Sequence, residues 1–148
     1  MKYKSFRHAC ANSNHNAIEY FIANNMVSQY EIANEFRKAC LINKKDLVVF
    51  LHTFLSDHMD KLIKNMFEES CIRGNLDIVK YLINFKGSGI NSNNFDILVK
   101  CCDNKNEKTI QLLLHQKEIT EEQISKLLEL FKTKDYEKYE WLKDLFNY

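Results

Sequence analysis

The stretch "SCIRGNLDIVKYLI", Ser70 to Ile83, contains a small-residue pair, a Gly-Asn break and a dense apolar run. This order of features fits either a catalytic loop or one unit of a structural repeat. The position of its cysteine recurs along the chain at intervals of 30, 31 and 31 residues, at Cys10, Cys40, Cys71 and Cys102. Because periods of about 20 to 50 residues are typical of stacked repeats, the stretch is interpreted as one repeat unit.

Five units fill the chain when they are aligned on that period. They read "FRHACANSNHNAIEYFI", "FRKACLINKKDLVVFL", "FEESCIRGNLDIVKYLI", "LVKCCDNKNEKTIQLLL" and "LLELFKTKDYEKYEWL", the last with Phe131 at the cysteine position. Each unit has a short apolar helix, a polar break and a second apolar helix, which predicts a helical hairpin. We therefore expect an all-α solenoid of about five stacked helix-turn-helix repeats in one domain, 1–148, with units near 4–33, 34–64, 65–95, 96–124 and 125–148.

Composition and capping residues agree with this prediction. Proline is absent and only three glycines occur in 148 residues, which favours helices. Cap-competent residues precede the leading apolar position of units two to five and predict first-helix starts at Asn34, Asn65, Asp96 and Ser125. Second helices are expected to begin near Asp46, Asn75 and Asp135, and Thr120 with Gln123 forms a candidate capping box.

The same alignment predicts the core. The second-helix positions expected to be buried between units are Ile18, Phe21, Leu47, Leu51, Ile78, Leu82, Ile110 and Leu113. Five cysteines without an export signal suggest reduced thiols rather than disulfides. The repeat cysteines are interpreted as small core residues, since free cysteine is among the most buried residue types.

The sequence offers little support for chemistry or for non-protein partners. Its 21 basic and 20 acidic residues are spread along the chain, so no nucleic acid is expected as a partner. No apolar run reaches the length of a membrane span, and neither a phosphate-binding glycine loop nor a metal-ligand spacing occurs. We therefore expect a cytoplasmic protein that is not an enzyme and that has no cofactor, no bound metal and no membrane partner.

The stretch "SCIRGNLDIVKYLI" resembles the core of an ankyrin repeat, in which two small residues close the first helix and a glycine turn opens the second. "GSGIN", Gly87 to Asn91, is similar to the hairpin segment that follows in that family. The usual Thr-Pro-Leu-His helix start is replaced here by "NEFR", "NMF" and "DIL". Divergent units rich in Asn and Lys resemble those encoded by large DNA viruses of amoebae or by AT-rich protists. For a viral chain, the resemblance implies the host cytoplasm and a host–pathogen interaction.

The ankyrin resemblance implies a binding surface. First helices of that family line a concave face, and the family's variable contact position corresponds here to His8, Lys38, Glu69, Lys100 and Glu129. The resemblance adds the neighbouring charges Arg7, Arg37 and Glu68 to the candidate partner-binding set. Arg73, in the break between the two helices of unit three, joins the set because arginine is enriched at interface hot spots. The implied function is a non-enzymatic protein–protein interaction module, an adaptor that binds a client protein on its concave face.

An alternative function places the partner elsewhere. The chain could be a fixed structural subunit of a larger multiprotein assembly, viral in the case of a viral chain, and docked through the repeat ends. The first unit has no obvious polar cap, and the tail "YEKYEWLKDLFNY" offers a large apolar area that includes Trp141. The tail is expected to fold back on unit four, because an amphipathic terminal helix usually completes its own core. Either way, the partner is another protein.

Overall fold

The computed structural model describes residues 5–85, 95–116 and 118–148, and over these residues the chain is helical without any strand. The prediction of an all-α fold is confirmed. "GSGIN" lies outside the described residues. The ten helices within these ranges are α1 (Phe6–Ala11), α2 (His15–Ala23), α3 (Gln29–Leu41), α4 (Lys45–His52), α5 (Asp60–Arg73), α6 (Leu76–Leu82), α7 (Phe95–Asp103), α8 (Glu107–His115), α9 (Glu121–Lys134) and α10 (Tyr136–Phe146).

The helices pack in pairs, each odd-numbered first helix against the even-numbered second helix that follows it. First helices also contact one another in succession, α3 with α5, α5 with α7 and α7 with α9. Second helices do the same from α4 to α6 and from α6 to α8. Units two, three and four are therefore joined both through their first helices and through their second helices.

The core lies between these helices as a single cluster. All eight second-helix residues predicted to be core residues are buried, and Ile18, Ile78 and Leu113 are fully so. The leading aromatic residues Phe36 and Phe67 of the first helices are also completely buried. The apolar pattern thus predicted correctly which side of each helix is buried.

Three of the predicted first-helix starts are wrong. Asn34, Asn65 and Ser125 lie inside α3, α5 and α9, so the unit boundaries at 34, 65 and 125 fall within helices. Helix α3 begins several residues earlier, because Ser28 and Glu31 form a capping box: the Ser28 hydroxyl accepts from the Glu31 amide at 3.2 Å, and the Glu31 carboxylate accepts from the Ser28 amide at 3.3 Å. A local capping signal outweighs the alignment in setting this helix start.

Other predicted starts agree with the structure. Thr120 caps α9 in a capping box with Gln123, and the Asp135 side chain caps α10 by accepting from the Lys138 amide at 3.2 Å. Asp96 lies in the first turn of α7, and Asn75 occupies the cap position of α6.

In units one to four, the turn between the two helices has a left-handed residue three positions after the repeat cysteine. The φ angles there are positive, at 49° for Ser13, 59° for Asn43, 73° for Gly74 and 52° for Lys105. Only Gly74 adopts this conformation without a steric penalty. A Cβ atom at Gly74 would also lie 2.9 Å from the Asn106 side-chain oxygen, so the next unit approaches this turn closely.

The following position joins one unit to the unit before it. The Asn75 side-chain amide donates to the Cys40 carbonyl at 3.1 Å, and the Asn106 amide donates to the Cys71 carbonyl at 3.1 Å and to the next carbonyl, of Ile72, at 2.6 Å. These acceptors lie at the C-terminal end of the preceding first helix, where carbonyls lack helical partners. We call these backward contacts the amide ladder.

At the two ends of the chain, charged side chains take the place of the asparagine amides. In unit two, the ammonium of Lys44 takes the equivalent place and donates to the Ala11 carbonyl at 3.4 Å. Between units four and five, ion pairs are found instead: the Asp103 carboxylate lies 2.8 Å from Lys134 and 3.6 Å from Lys138. The two ends are thus tied to their neighbours through charged groups.

Aromatic contacts run across the second helices. His15 of α2 stacks on Phe50 of α4 with ring centres 4.1 Å apart. His52 of α4 shares a hydrogen bond of 2.7 Å between its Nδ1 atom and the Tyr81 hydroxyl of α6, and its ring centre lies 4.6 Å from that of Phe85. Burial lowers the pKa of His52, since the charged imidazolium is poorly solvated there.

Candidate functional site

One residue on each first helix forms what we call the first-helix row, consisting of His8 on α1, Lys38 on α3, Glu69 on α5, Lys100 on α7 and Glu129 on α9. Four of these side chains are exposed and Glu69 is half-buried. Since α3, α5, α7 and α9 contact one another in order, the row presents charges of both signs along consecutive units.

The other predicted contact residues lie beside this row. Arg37 donates to the Asn34 side-chain oxygen at 3.0 Å, and Arg73 lies 3.4 Å from the Glu69 carboxylate. Both arginines are exposed, so these contacts contribute little to stability and leave the guanidinium groups accessible. Glu68 is half-buried on α5.

The structure brings Arg7 and Lys38 together in a cleft of about 340 Å³ between α1 and α3. We call this the α1–α3 cleft. Its floor is apolar, formed by the buried side chains of Cys10, Ala39 and Leu47. It combines a positively charged rim with an apolar floor.

Three further residues of the cleft were not singled out from the sequence. Glu35 is buried on α3 and its carboxylate lies 3.1 Å from the Lys38 ammonium. Lys44 and Ile42 complete the rim, and Ile42 is 61% exposed. The signal that could have identified Ile42 is its register, because the other four units have Asn12, Arg73, Asn104 and Thr133 at this position.

The C-terminal tail lies against its own chain. Helix α10 packs on α9 and α7, with Leu142 and Phe146 buried. Trp141 is half-buried, and the Lys105 ammonium from the turn of unit four lies 5.7 Å from its ring centre. This confirms the expectation that the tail folds back on unit four, and it leaves only part of the indole available to a partner.

The thiols lie in settings that disfavour reactivity. All five cysteines are free and buried. Burial raises the pKa of Cys10 and Cys40 to about 12, and it also raises that of Cys71. A thiol with such a pKa is protonated near neutral pH and is a poor nucleophile or metal ligand. Within residues 5–85, 95–116 and 118–148, no group of His, Cys, Asp or Glu is arranged to hold a metal ion.

No helix in the described ranges is both long enough and apolar enough to cross a membrane. Compared with family models, with curated proteins and with solved structures, the chain gives no match. The first-helix row and the α1–α3 cleft are therefore the features of this chain that bear on function.

Proposed function

We propose that this protein is a non-enzymatic, ankyrin-like interaction module that binds a client protein along its first-helix row. The observation that carries the proposal is the α1–α3 cleft, where Arg7, Lys38 and Lys44 surround an apolar floor. Clefts with apolar surface and a few charged groups are typical of recognition sites, and arginine is enriched at interface hot spots. The buried, protonated cysteines favour packing over catalysis.

The row provides charge that the fold does not require. Lys100 and Glu129 form no ion pair with any described residue. Exposed, unpaired charges contribute little to folding but strongly influence the rate and specificity of association. We therefore assign this row to partner recognition.

Photocrosslinking tests where the client binds. A benzophenone amino acid replaces Lys100 or Glu129 on the first-helix row, and Lys80 or Lys108 on the second helices serves as the matched exposed control. In native cells, the row positions should crosslink to a partner and the control positions should not. With the crosslinker at position 129, Lys100→Glu should weaken the crosslink, and with the crosslinker at position 100, Glu129→Lys should weaken it. Either substitution should leave the melting temperature nearly unchanged.

Lys38 is left intact in this experiment, because a carboxylate there would oppose the buried carboxylate of Glu35 and destabilise the fold. Crosslinks that form equally from both helix layers would contradict a dedicated binding face.

A second candidate function, that of a fixed structural subunit, is supported by exposed side chains near the first unit. Tyr20, Met26 and Tyr30 are 51%, 54% and 73% exposed between α2 and the start of α3. Exposed apolar residues near the first unit suit a fixed structural subunit that docks through its N-terminal end. Crosslinks from Tyr20 and Tyr30, but none from the first-helix row, would favour this function over the adaptor.

A further inference from the structure

The four junctions between consecutive units carry different charges at three equivalent positions. The first position lies three residues before the repeat cysteine of the earlier unit. The other two lie two residues before and four residues after the repeat cysteine of the later unit, or Phe131 in unit five. In chain order the sets are Arg7, Lys38 and Lys44; Arg37, Glu69 and Asn75; Glu68, Lys100 and Asn106; and Val99, Glu129 and Asp135. The first junction has three cations, the middle two have one cation and one acid each, and the last has two acids.

The cations of the first junction are only partly neutralised. Lys38 pairs with Glu35 at 3.1 Å, whereas Arg7 forms no ion pair with a described residue. Lys44 pairs with no acid among the described residues, and it donates to a neutral carbonyl, that of Ala11, at 3.4 Å. The cleft thus has three cations against one carboxylate and attracts a negatively charged group.

Lys44 adds a charge that the ladder does not need. Asn75 and Asn106 reach the end of the preceding first helix with neutral amides, at 3.1 Å to the Cys40 carbonyl and 2.6 Å to the Ile72 carbonyl. An asparagine at position 44 would therefore satisfy the fold. The ammonium in its place gives the cleft a cation that the amide ladder does not explain.

Ile42 supplies an apolar counterpart to this charge. It is 61% exposed at a position where the other four units have polar residues, and it lies beside the buried floor residues Cys10 and Leu47. Covering this side chain with an apolar group of a ligand is favourable, because it removes apolar surface from water. A ligand of this cleft should therefore combine an apolar side chain with negative charge.

We propose that the α1–α3 cleft binds an acidic peptide segment of a partner protein, with one apolar side chain seated on the floor beside Ile42 and flanking carboxylates paired with Arg7 and Lys44. This inference rests on the proposed function and specifies the chemistry of the client. An arginine can bind a carboxylate through two parallel hydrogen bonds, which fixes the orientation of the segment. Lys44 acts as a point charge at the edge of the site.

The test uses fluorescein-labelled peptides and the full chain. The probe is a short peptide with one leucine flanked by glutamates, and the matched peptides have either lysines around the leucine or serine in place of the leucine. The probe should bind, both matched peptides should bind about tenfold more weakly or not at all, and added salt should weaken binding of the probe.

Substitutions locate the site. Lys44→Asn preserves the ladder chemistry of units three and four, and together with Arg7→Gln it should weaken probe binding about tenfold. Ile42→Asn should weaken it about fivefold, as expected for an apolar contact at an interface. Lys45→Asn removes the same charge from an exposed neighbour outside the cleft and should leave binding within about twofold.

Three outcomes would overturn the inference. The first is that the intact protein does not bind the probe, and the second is that Lys44→Asn and Lys45→Asn weaken probe binding equally. The third is that an oligouridylate binds more tightly than the probe and that the cleft substitutions weaken its binding to the same extent. That result would identify a general polyanion site. If photocrosslinks still form from the first-helix row in any of these cases, the acidic-peptide inference fails while the proposed interaction function stands.

Discussion

The α1–α3 cleft and the junction between α5 and α7 are the first and third junctions between units, and they differ in chemistry. Both have a buried cysteine and buried second-helix residues beneath them. Above this shared core, the two junctions have, respectively, Arg7, Lys38 and Lys44, and Glu68, Lys100 and Asn106. Because both junctions pack with the same apolar positions, the fold does not require the cations of the cleft. Features that repeat serve stability, and features that differ are available for binding.

Removing a shared core residue should have the largest effect. Phe67→Ala empties a fully buried position on α5 and should lower the free energy of unfolding by about 3–5 kcal/mol, because it creates a cavity. Phe67→Leu, which retains most of the apolar volume, should lower it by less than about 1.5 kcal/mol. Urea unfolding followed by circular dichroism measures both. A loss below about 1 kcal/mol for the alanine variant would show that this position is not shared core.

Substitutions in the turn just before the ladder should have the next largest effect on stability. Gly74→Ala places a Cβ atom at φ 73° and 2.9 Å from the Asn106 side chain, and we expect a loss of about 1–2 kcal/mol. Ser13→Gly, at φ 49° in the first unit, should change stability in the opposite direction by up to about 1 kcal/mol. Thermal melting of the two variants gives the sign. Shifts of the same sign would contradict a left-handed turn common to both units.

The ladder residues of the two junctions, Asn106 and Lys44, should contribute differently to stability. Asn106→Ala removes the donor to the Cys71 and Ile72 carbonyls in a partly buried site and should lower stability by about 1–2 kcal/mol. Lys44→Ala removes an exposed contact of 3.4 Å and should lower it by less than about 0.5 kcal/mol. Chemical denaturation compares them directly. If the two losses of stability were equal, Lys44 would be a structural residue, and its charge would no longer support a binding role for the cleft.

The smallest expected effect is a pH dependence on the opposite, second-helix side. Burial lowers the folded-state pKa of His52 below its ordinary value of 6.5, so above that pH the imidazole is neutral in both states. As the pH falls through 6.5, the unfolded chain binds a proton that the folded protein resists, and stability decreases until the pH reaches the lowered pKa. His52→Gln should flatten the stability profile between about pH 7.5 and 5.5, measured by urea unfolding. An unchanged slope would exclude His52 as the source.

The sequence predicted the helices and core well because both follow from periodic apolar residues. It misplaced the starts of α3 and α9 because the alignment gave more weight to Asn34 and Ser125 than to the capping boxes of Ser28 with Glu31 and of Thr120 with Gln123. Helix α5 begins after Met59, which forms no side-chain cap hydrogen bond and so gave no local signal against Asn65. The sequence identified Arg7 and Lys38 through the ankyrin resemblance, but it missed Ile42 and Lys44. These two lie in and just after the turn, where only the three-dimensional approach of α1 and α3 reveals their contact with the cleft.

The direction of the amide ladder bears on how the chain matures during synthesis. Each donor belongs to the later unit and each acceptor to the earlier one, as with Asn75 reaching the Cys40 carbonyl and Asn106 reaching that of Cys71. A ribosome releases the acceptor helix first, and water can solvate its terminal carbonyls until the next hairpin emerges. A hairpin that emerges later would therefore supply the donors for carbonyls that have already left the ribosome.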